Sequence, residues 1–276
     1  MNSSSINSNI LQKKELNFWE ELRKSGEETD LKYARDLPDD TPKLILRMLA
    51  EFESDVAEFS FGDANGAILD AGCGNGNLLM RSLSQPTQKT RKYAGLDFSR
   101  NMLARAAERA QHLPNSFFLQ GCVNHLPFRD QSFDRVVSSG VLTCLPTVKE
   151  AEKALNEFNR VLKPEGTLVV DFFNSVSHFT ILRKHLFRED IRTPEYVSPN
   201  EFTSYLASAG FKVLDCRGFD FKPYQGYLFM SRWRRILDPC FIQERFTRII
   251  ESKIVPKLPG LSLVGYRIYV KCVKTK

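Results

Sequence analysis

Six cysteines, at positions 73, 122, 144, 216, 240 and 272, are spread through 276 residues without one Cys-x-x-Cys pair. That spacing removes the usual zinc-binding and dithiol motifs, and no metal site is expected. Unpaired thiols fit a reducing compartment, so a cytoplasmic location is expected. No apolar run approaches the length that spans a bilayer, and the polar start Met1-Asn-Ser-Ser-Ser-Ile-Asn-Ser-Asn9 lacks the apolar centre of a secretion signal. The net charge of +6 is modest and no five basic residues are consecutive, which weakens a nucleic-acid reading without removing it. A chain of this length with 42% hydrophobic residues can bury a full α/β core.

What is present is concentrated in Ala67-Ile-Leu-Asp-Ala-Gly-Cys-Gly-Asn-Gly-Asn77. Ala67 to Ala71 reads as a buried strand that empties into three glycines at alternate positions. Such a loop turns sharply and lets backbone approach a ligand, and the helix that starts at Asn77 aims its free amides at the same place. Strand, glycine loop and helix N-terminus together hold nucleotide-like molecules in open α/β sheets. The dinucleotide pattern needs a third glycine where Asn77 stands, and the phosphate-cradling P-loop needs a Gly-Lys-Ser/Thr that is missing. Asp70, Asn75 and Asn77 add carboxylate and amide groups, better suited to a cationic ligand than to a pyrophosphate. Lys92 to Asp97 reads as the next strand and ends in an acid 21 residues beyond Gly76, with Ser99 as the cap of a following helix. A carboxylate at that tip accepts from both hydroxyls of a ribose.

Four blocks carry a resemblance. Ile68-Leu-Asp-Ala-Gly-Cys-Gly-Asn-Gly76, then Gly95-Leu-Asp97 with Ser99 and Met102, then Leu126-Pro-Phe-Arg-Asp-Gln-Ser-Phe-Asp134, then Glu157-Phe-Asn-Arg-Val-Leu-Lys-Pro-Glu-Gly166 resemble, in order and spacing, class I methyltransferases that use S-adenosylmethionine. The likeness includes the small-molecule type with the Leu-Pro-Phe block, spans about residues 65 to 173, and leaves the methyl acceptor unnamed. It implies S-adenosylmethionine as cofactor, with Gly72 and Gly74 passing its methionine part, Asp70 close behind, Asp97 on the ribose hydroxyls and Phe98 against the adenine. The positions beside the adenine edge fall on Cys122 and Val123. Cys122 departs from the family, which often has an acid there, because a thiol bonds weakly and leaves the amino group to Asn124, a carbonyl or water. Ser138, Ser139 and Gly140 would close the pocket floor.

The fold implied is α/β, Rossmann-like and doubly wound, with a mostly parallel seven-stranded sheet and an antiparallel last strand. Residues 1–60 read as a helical lead-in or lid, with Leu16, Phe18, Trp19 and Leu22 on one helix and Thr41 capping a second; Trp19 and Tyr33 are the lid candidates. Residues 61–276 form the methyltransferase domain. Capping boxes are predicted at Thr147/Glu150 and Ser198/Glu201. Strands are expected at 117–121, 134–137, 166–172, 211–216 and 265–273.

Two insertions, 174–197 and 219–263, are expected to serve the acceptor. The first carries His178, Phe179, His185, Phe187 and three arginines; the second carries Tyr224, Tyr227, Phe229, Trp233 and Arg232, Arg234 and Arg235, then apolar residues from Phe241 to Ile254 at helical spacing. This mixture points to a small, aromatic or lipid-like acceptor, with peripheral membrane contact as an allied possibility. Transfer RNA is the alternative acceptor, and a cofactor-binding subunit without activity is a third reading. The Asn/Asp-Pro-Pro-Tyr signature of amino-methylating DNA enzymes is replaced by Ser138-Ser-Gly-Val-Leu-Thr-Cys-Leu-Pro146, so DNA is not expected as a partner. No catalytic residue is assigned. His178 is the first candidate base, ahead of His112 and His125, because it follows the fifth strand at the ligand edge.

Overall fold

The computed structural model describes residues 43–82, 92–186, 196–219, 240 and 242–275. Eight strands make one sheet: β1 (Ala67–Ala71), β2 (Lys92–Asp97), β3 (Ser116–Gln120), β4 (Phe133–Ser138), β5 (Leu162–Asn174), β6 (Tyr196–Val197), β7 (Phe211–Phe219) and β8 (Arg267–Lys274). Their order is β3-β2-β1-β4-β5-β8-β7, with β6 paired to β5 off that path. Pairing is parallel throughout except along β8, which runs antiparallel to both β5 and β7. The chain therefore leaves β3 on one flank, crosses β1 and re-enters as β4. That reversal opens a crevice at the carboxyl ends of β1 and β4, where open sheets bind ligands.

The sheet is Rossmann-like and mostly parallel as the pattern predicts, with β6 as an eighth strand. Two residues give no periodic signal, so β6 could not be read from the sequence. β4 ends at Ser138, opposite Val170, and β6 pairs further along β5 at Phe173 and Asn174. β5 also starts earlier than expected. Leu162 pairs with Phe133 and Thr167 with Arg135, so Lys163 to Gly166 bulge out of a continuous strand, with Glu165 at φ 60°.

Both faces of the sheet are covered. On one, α4 (Val148–Val161) contributes Ala154, Leu155, Phe158 and Val161, and α6 (Pro199–Ser208) contributes Phe202 and Leu206, against Leu69, Leu96, Val136, Leu168 and Val170. On the other, α1 (Lys43–Phe61) lays Phe52, Val56, Ala57 and Phe59 over Ile68, Val137, Val169 and Tyr269. α2 (Asn77–Ser82) and α3 (Arg100–Arg109) follow β1 and β2. Phe52 meets Phe219 edge-on at 5.2 Å, and buried Arg135 ties the end of α1 to the sheet through Ser60 O at 2.9 Å, Asp63 at 2.6 Å and Thr167 at 2.7 Å. α1 is thus a packing helix. The shorter helix expected before it, with Trp19 and Tyr33, lies outside the described residues, as do Thr41 and Pro42.

The cap at Ser198 is a full capping box with Glu201, as predicted. At Thr147 only half forms: its side chain accepts from Glu150 N, while the Glu150 carboxylate accepts from Asn124 Nδ2 and Lys153 Nζ instead. Two of the family-like blocks also meet. Glu157 accepts from Leu126 N at 2.7 Å, and Arg160 donates to the carbonyls of Leu126 and Phe128 at 2.9 and 2.8 Å. The 126–134 loop is therefore stitched to α4. The Arg160 guanidinium and the Leu126 amide, against a smaller opposing effect of burial, hold the Glu157 carboxyl below its usual range.

Candidate functional site

At the end of β1 the amides of Gly72 and Cys73 both donate to Leu96 O, at 2.6 and 3.0 Å, so the glycine loop folds over the tip of β2. Gly72 has φ 87°, and a Cβ there would lie 2.1 Å from Val141 Cγ2; only glycine lets the loop and the segment after β4 approach this closely. Gly74, at φ 52°, differs. A Cβ on it would find nothing nearer than Met102 Cε at 3.6 Å, an ordinary contact distance, so no atom crowds its backbone as Val141 crowds Gly72.

Asp97 is 7% exposed and divides its carboxylate between two amides: Oδ2 accepts from Gly74 N at 2.8 Å and Oδ1 from Ser99 N at 2.9 Å. A carboxylate oxygen can accept more than one hydrogen bond, which suits an acid at this tip to a ligand diol. Ser99 caps α3 as predicted, accepting from Met102 N. Beside Asp97, Phe98 presents an exposed ring. Gly121 N donates to Asp97 O at 2.9 Å, which brings the end of β3 alongside, with Cys122 exposed and Val123 and Asn124 buried. Gly72, Gly74, Asp97, Phe98, Cys122 and Val123 thus share one rim.

Asp70 lies beneath that rim, 2% exposed, with Tyr93 donating its phenol hydrogen at 2.6 Å. Burial, helped by nearby Asp97 and opposed by the Tyr93 hydrogen bond, pushes the Asp70 carboxyl up to about 7. Asn77 does not join a cradle. Its amide donates to buried Glu53 on α1 and its oxygen takes a 3.4 Å contact from Arg109, while Arg109 also donates to Asn75 O at 2.9 Å. The Asn77 side chain and the Asn75 carbonyl anchor the loop from behind.

On the other half of the crevice, Ser138 Oγ donates to Ala71 O at 2.9 Å and Ser139 Oγ shares a 2.8 Å hydrogen bond with Tyr269. Gly140 N donates to Asp171 Oδ1 at 2.6 Å, and Arg267 Nε donates to Asp171 Oδ2 at 2.5 Å. Asp171 and Arg267 are 1% and 8% exposed.

Residues 69–170 match the family described as a methyltransferase domain. This stretch is a methyltransferase domain. Demethylmenaquinone methyltransferases of Staphylococcus haemolyticus and Staphylococcus aureus are 39% identical to it over 101 residues, covering 37% of this chain and 41% and 40% of theirs. The chain matches only about two fifths of the length of these curated relatives. Among solved structures, magnesium protoporphyrin IX methyltransferase from Synechocystis PCC 6803, crystallised with bound SAH, superposes with a TM-score of 0.57 at 14% identity, covering 99% of this chain and all of that one. A possible histamine N-methyltransferase from Thermotoga maritima gives 0.52 at 20% identity over 84% of this chain and 92% of its own. At such identities the superpositions speak for the fold.

The methyltransferase domain belongs to the class whose cofactor is S-adenosylmethionine, and the rim fits that molecule on its own chemistry. An added Cβ on Gly74 would make only an ordinary contact with Met102, the Asp97 carboxylate stands at the tip of β2, and Asn124 Oδ1 is buried without a hydrogen-bond partner, an acceptor in want of a donor. Sequence reasoning missed Asp171, Arg267 and Tyr269. An acid inside one strand and a basic residue some hundred positions later carry no joint signal until β8 pairs with β5. Of the predicted acceptor residues, Phe179 is 3% exposed and meets Tyr266 edge-on at 5.1 Å within a cluster that includes Tyr196 and Phe173, so it packs the domain and does not line an open pocket. His178 opens α5 (His178–Leu186) and is exposed, as are His112 and His125. Tyr224, Tyr227, Phe229, Trp233 and the three arginines beside it lie outside the described residues. No helix among the described residues is long and apolar enough to cross a membrane.

Proposed function

We propose that the protein transfers a methyl group from S-adenosylmethionine to a small, aromatic or lipid-like acceptor. The observation that carries this reading is the Asp97 carboxylate held at the tip of β2 by Gly74 N and Ser99 N, beside a glycine where an added Cβ would meet nothing closer than 3.6 Å. In this reading Gly72 and Gly74 pass the methionine part, Asp97 takes the ribose hydroxyls, Phe98 lies against the adenine, Cys122 and Val123 border its edge, and Ser139 closes the floor. Asp70 underlies the loop.

When bound, the sulfonium supplies an already activated methyl group. The protein's task is then to fix geometry and keep water away. Asp97 serves the first by joining loop and strand tip. The names of the Staphylococcus relatives support a lipid-like acceptor, since demethylmenaquinone is the molecule those names specify.

Calorimetry should find binding of S-adenosylhomocysteine and none of a nicotinamide dinucleotide. With radiolabelled cofactor, label should enter an organic-extractable fraction of a lipid extract and stay out of mixed transfer RNA at both low and physiological salt. Incorporation into RNA that disappears in an Arg232/Arg234/Arg235 charge-removal variant would transfer the assignment to RNA, because phosphate contacts are what salt weakens. Cofactor binding with no incorporation into any fraction would make the protein a binding subunit.

Cys122 gives a second, local test. An acid there would accept from the adenine amino group, and a hydrogen bond to a charged group is worth about 1.5 to 3 kcal/mol, so Cys122→Asp should tighten S-adenosylhomocysteine binding by roughly tenfold. Cys122→Ala should change it less than about twofold, since a thiol is a weak partner. A large loss in the alanine variant would place the thiol in a packing role.

A further inference from the structure

Arg267 sits opposite Phe173 at the carboxyl edge of β5, and its hydrogen-bonding capacity is mostly unspent. The guanidinium has five N–H donors. Nε donates to Asp171 Oδ2 at 2.5 Å, and Nη2 reaches only Ser139 Oγ at 3.5 Å. Nη1 donates to nothing among the described residues. The other Asp171 oxygen accepts from Gly140 N at 2.6 Å. Arg267 and Asp171 thus share one hydrogen bond where a fork-to-fork pair would have two.

The cation is also held rigidly. Its carbon lies 5.7 Å from the Phe173 ring centroid and 5.1 Å from that of Tyr269, and the side chain as a whole is nine-tenths buried. Nη1 is not among the buried side-chain atoms that lack a partner, so this edge of the guanidinium is open to solvent and to an acceptor atom from a ligand. Its position says which ligand. Arg267 pairs with Phe173 at the carboxyl edge of β5, and Gly140, held by the same Asp171, precedes the Val141 that touches the Gly72 turn. The free edge of the guanidinium is thus linked through two short contacts to the loop that receives the methionine part.

Resting on the function proposed above, we propose that Arg267, with the Ser139 and Tyr269 hydroxyl pair, is an oxyanion-binding subsite, and that the aromatic or lipid-like acceptor of that reading bears an anionic oxygen. Guanidinium matches carboxylate, phenolate and enolate oxygens alike. An acceptor bound in that form is already ionised and needs no histidine base.

The test uses 2-naphthoate and its uncharged isostere 2-naphthamide, titrated into the full-length protein with and without saturating S-adenosylhomocysteine. The wild type should bind the carboxylate at least about tenfold more tightly than the amide, in line with one charge-assisted hydrogen bond. Arg267→Lys keeps the charge against Asp171 but loses the planar fork, and should reduce that preference to about twofold or less while leaving S-adenosylhomocysteine affinity unchanged. Tyr269→Phe leaves the ion pair intact and should lower the preference by a smaller factor; it takes the place of Arg267→Lys should that variant misfold. Equal affinity for the two probes in the wild type, or a preference untouched in a folded Arg267→Lys, overturns the subsite. Failure to bind S-adenosylhomocysteine alongside a retained carboxylate preference overturns the proposed function and leaves the subsite standing.

Discussion

Asp97→Ala should weaken S-adenosylhomocysteine binding by about a hundredfold or more, with two hydroxyls each losing a bond to a charged acceptor worth about 1.5 to 3 kcal/mol. The same substitution leaves Gly74 N and Ser99 N, which now donate at 2.8 and 2.9 Å, without their acceptor. Stability should therefore fall as well, by roughly 1 to 3 kcal/mol for each buried amide that water cannot reach. Gly74→Val separates the two effects. Its Cβ meets only Met102 Cε at 3.6 Å, so the fold has room, and the left-handed φ of 52° costs about 1 to 2 kcal/mol. A branched side chain there nevertheless fills the space the ligand needs. Calorimetric titration beside thermal unfolding should find a small stability loss with a large affinity loss in Gly74→Val, and large losses of both in Asp97→Ala. Wild-type affinity in either variant would mean that the ligand lies elsewhere.

The second large effect belongs to Asp70. Its carboxyl is raised from the ordinary 3.8 to about 7, so the folded protein holds a proton that the unfolded chain releases. Below pH 4 both states are protonated and the residue is neutral toward stability. Between about pH 4 and 7 folding must take up a proton, and above 7 the penalty is complete, which makes wild-type stability fall as pH rises through this window. A difference of about 3 units corresponds to roughly 4 kcal/mol. Asp70→Asn removes the titration. Urea unfolding from pH 4 to pH 8.5 should find the variant gaining on the wild type by up to about 4 kcal/mol across the range, whatever constant offset its second N–H introduces. Parallel curves for the two proteins would mean that Asp70 keeps an ordinary acidity. The buried neighbours Cys73 and Tyr93 do not interfere, since burial, with nearby carboxylates, pushes both well above their ordinary values and keeps them neutral in this window.

The cofactor half of the site was legible in the sequence because it is local. Gly72, Gly74 and Gly76 lie within five residues, Ser99 caps a helix two residues after Asp97, and period and cap are written into neighbouring positions. The roles inside that half were less legible. Asn77 reads as a loop amide facing a ligand, yet Glu53 and Arg109 claim it from two different helices. Glu150 reads as the reciprocal arm of a capping box, yet Asn124 competes for its carboxylate.

By itself, then, the sequence determined the strand, glycine loop and helix to which we assign the cofactor, the acid that follows at the tip of β2, and a mostly parallel sheet, since each of these depends on spacings of a few residues. Only the tertiary structure brought together the residues proposed for the acceptor side. Arg267 pairs with Asp171 from 96 positions away, because β8 enters the sheet antiparallel beside β5 and sets Arg267 opposite Phe173. Phe179, which its position after the fifth strand offers to a substrate, turns inward onto Tyr266 because burying a ring against a ring is worth more than leaving it in water. Contacts of that range follow from strand order and packing, which the order of residues along the chain encodes only through the whole fold.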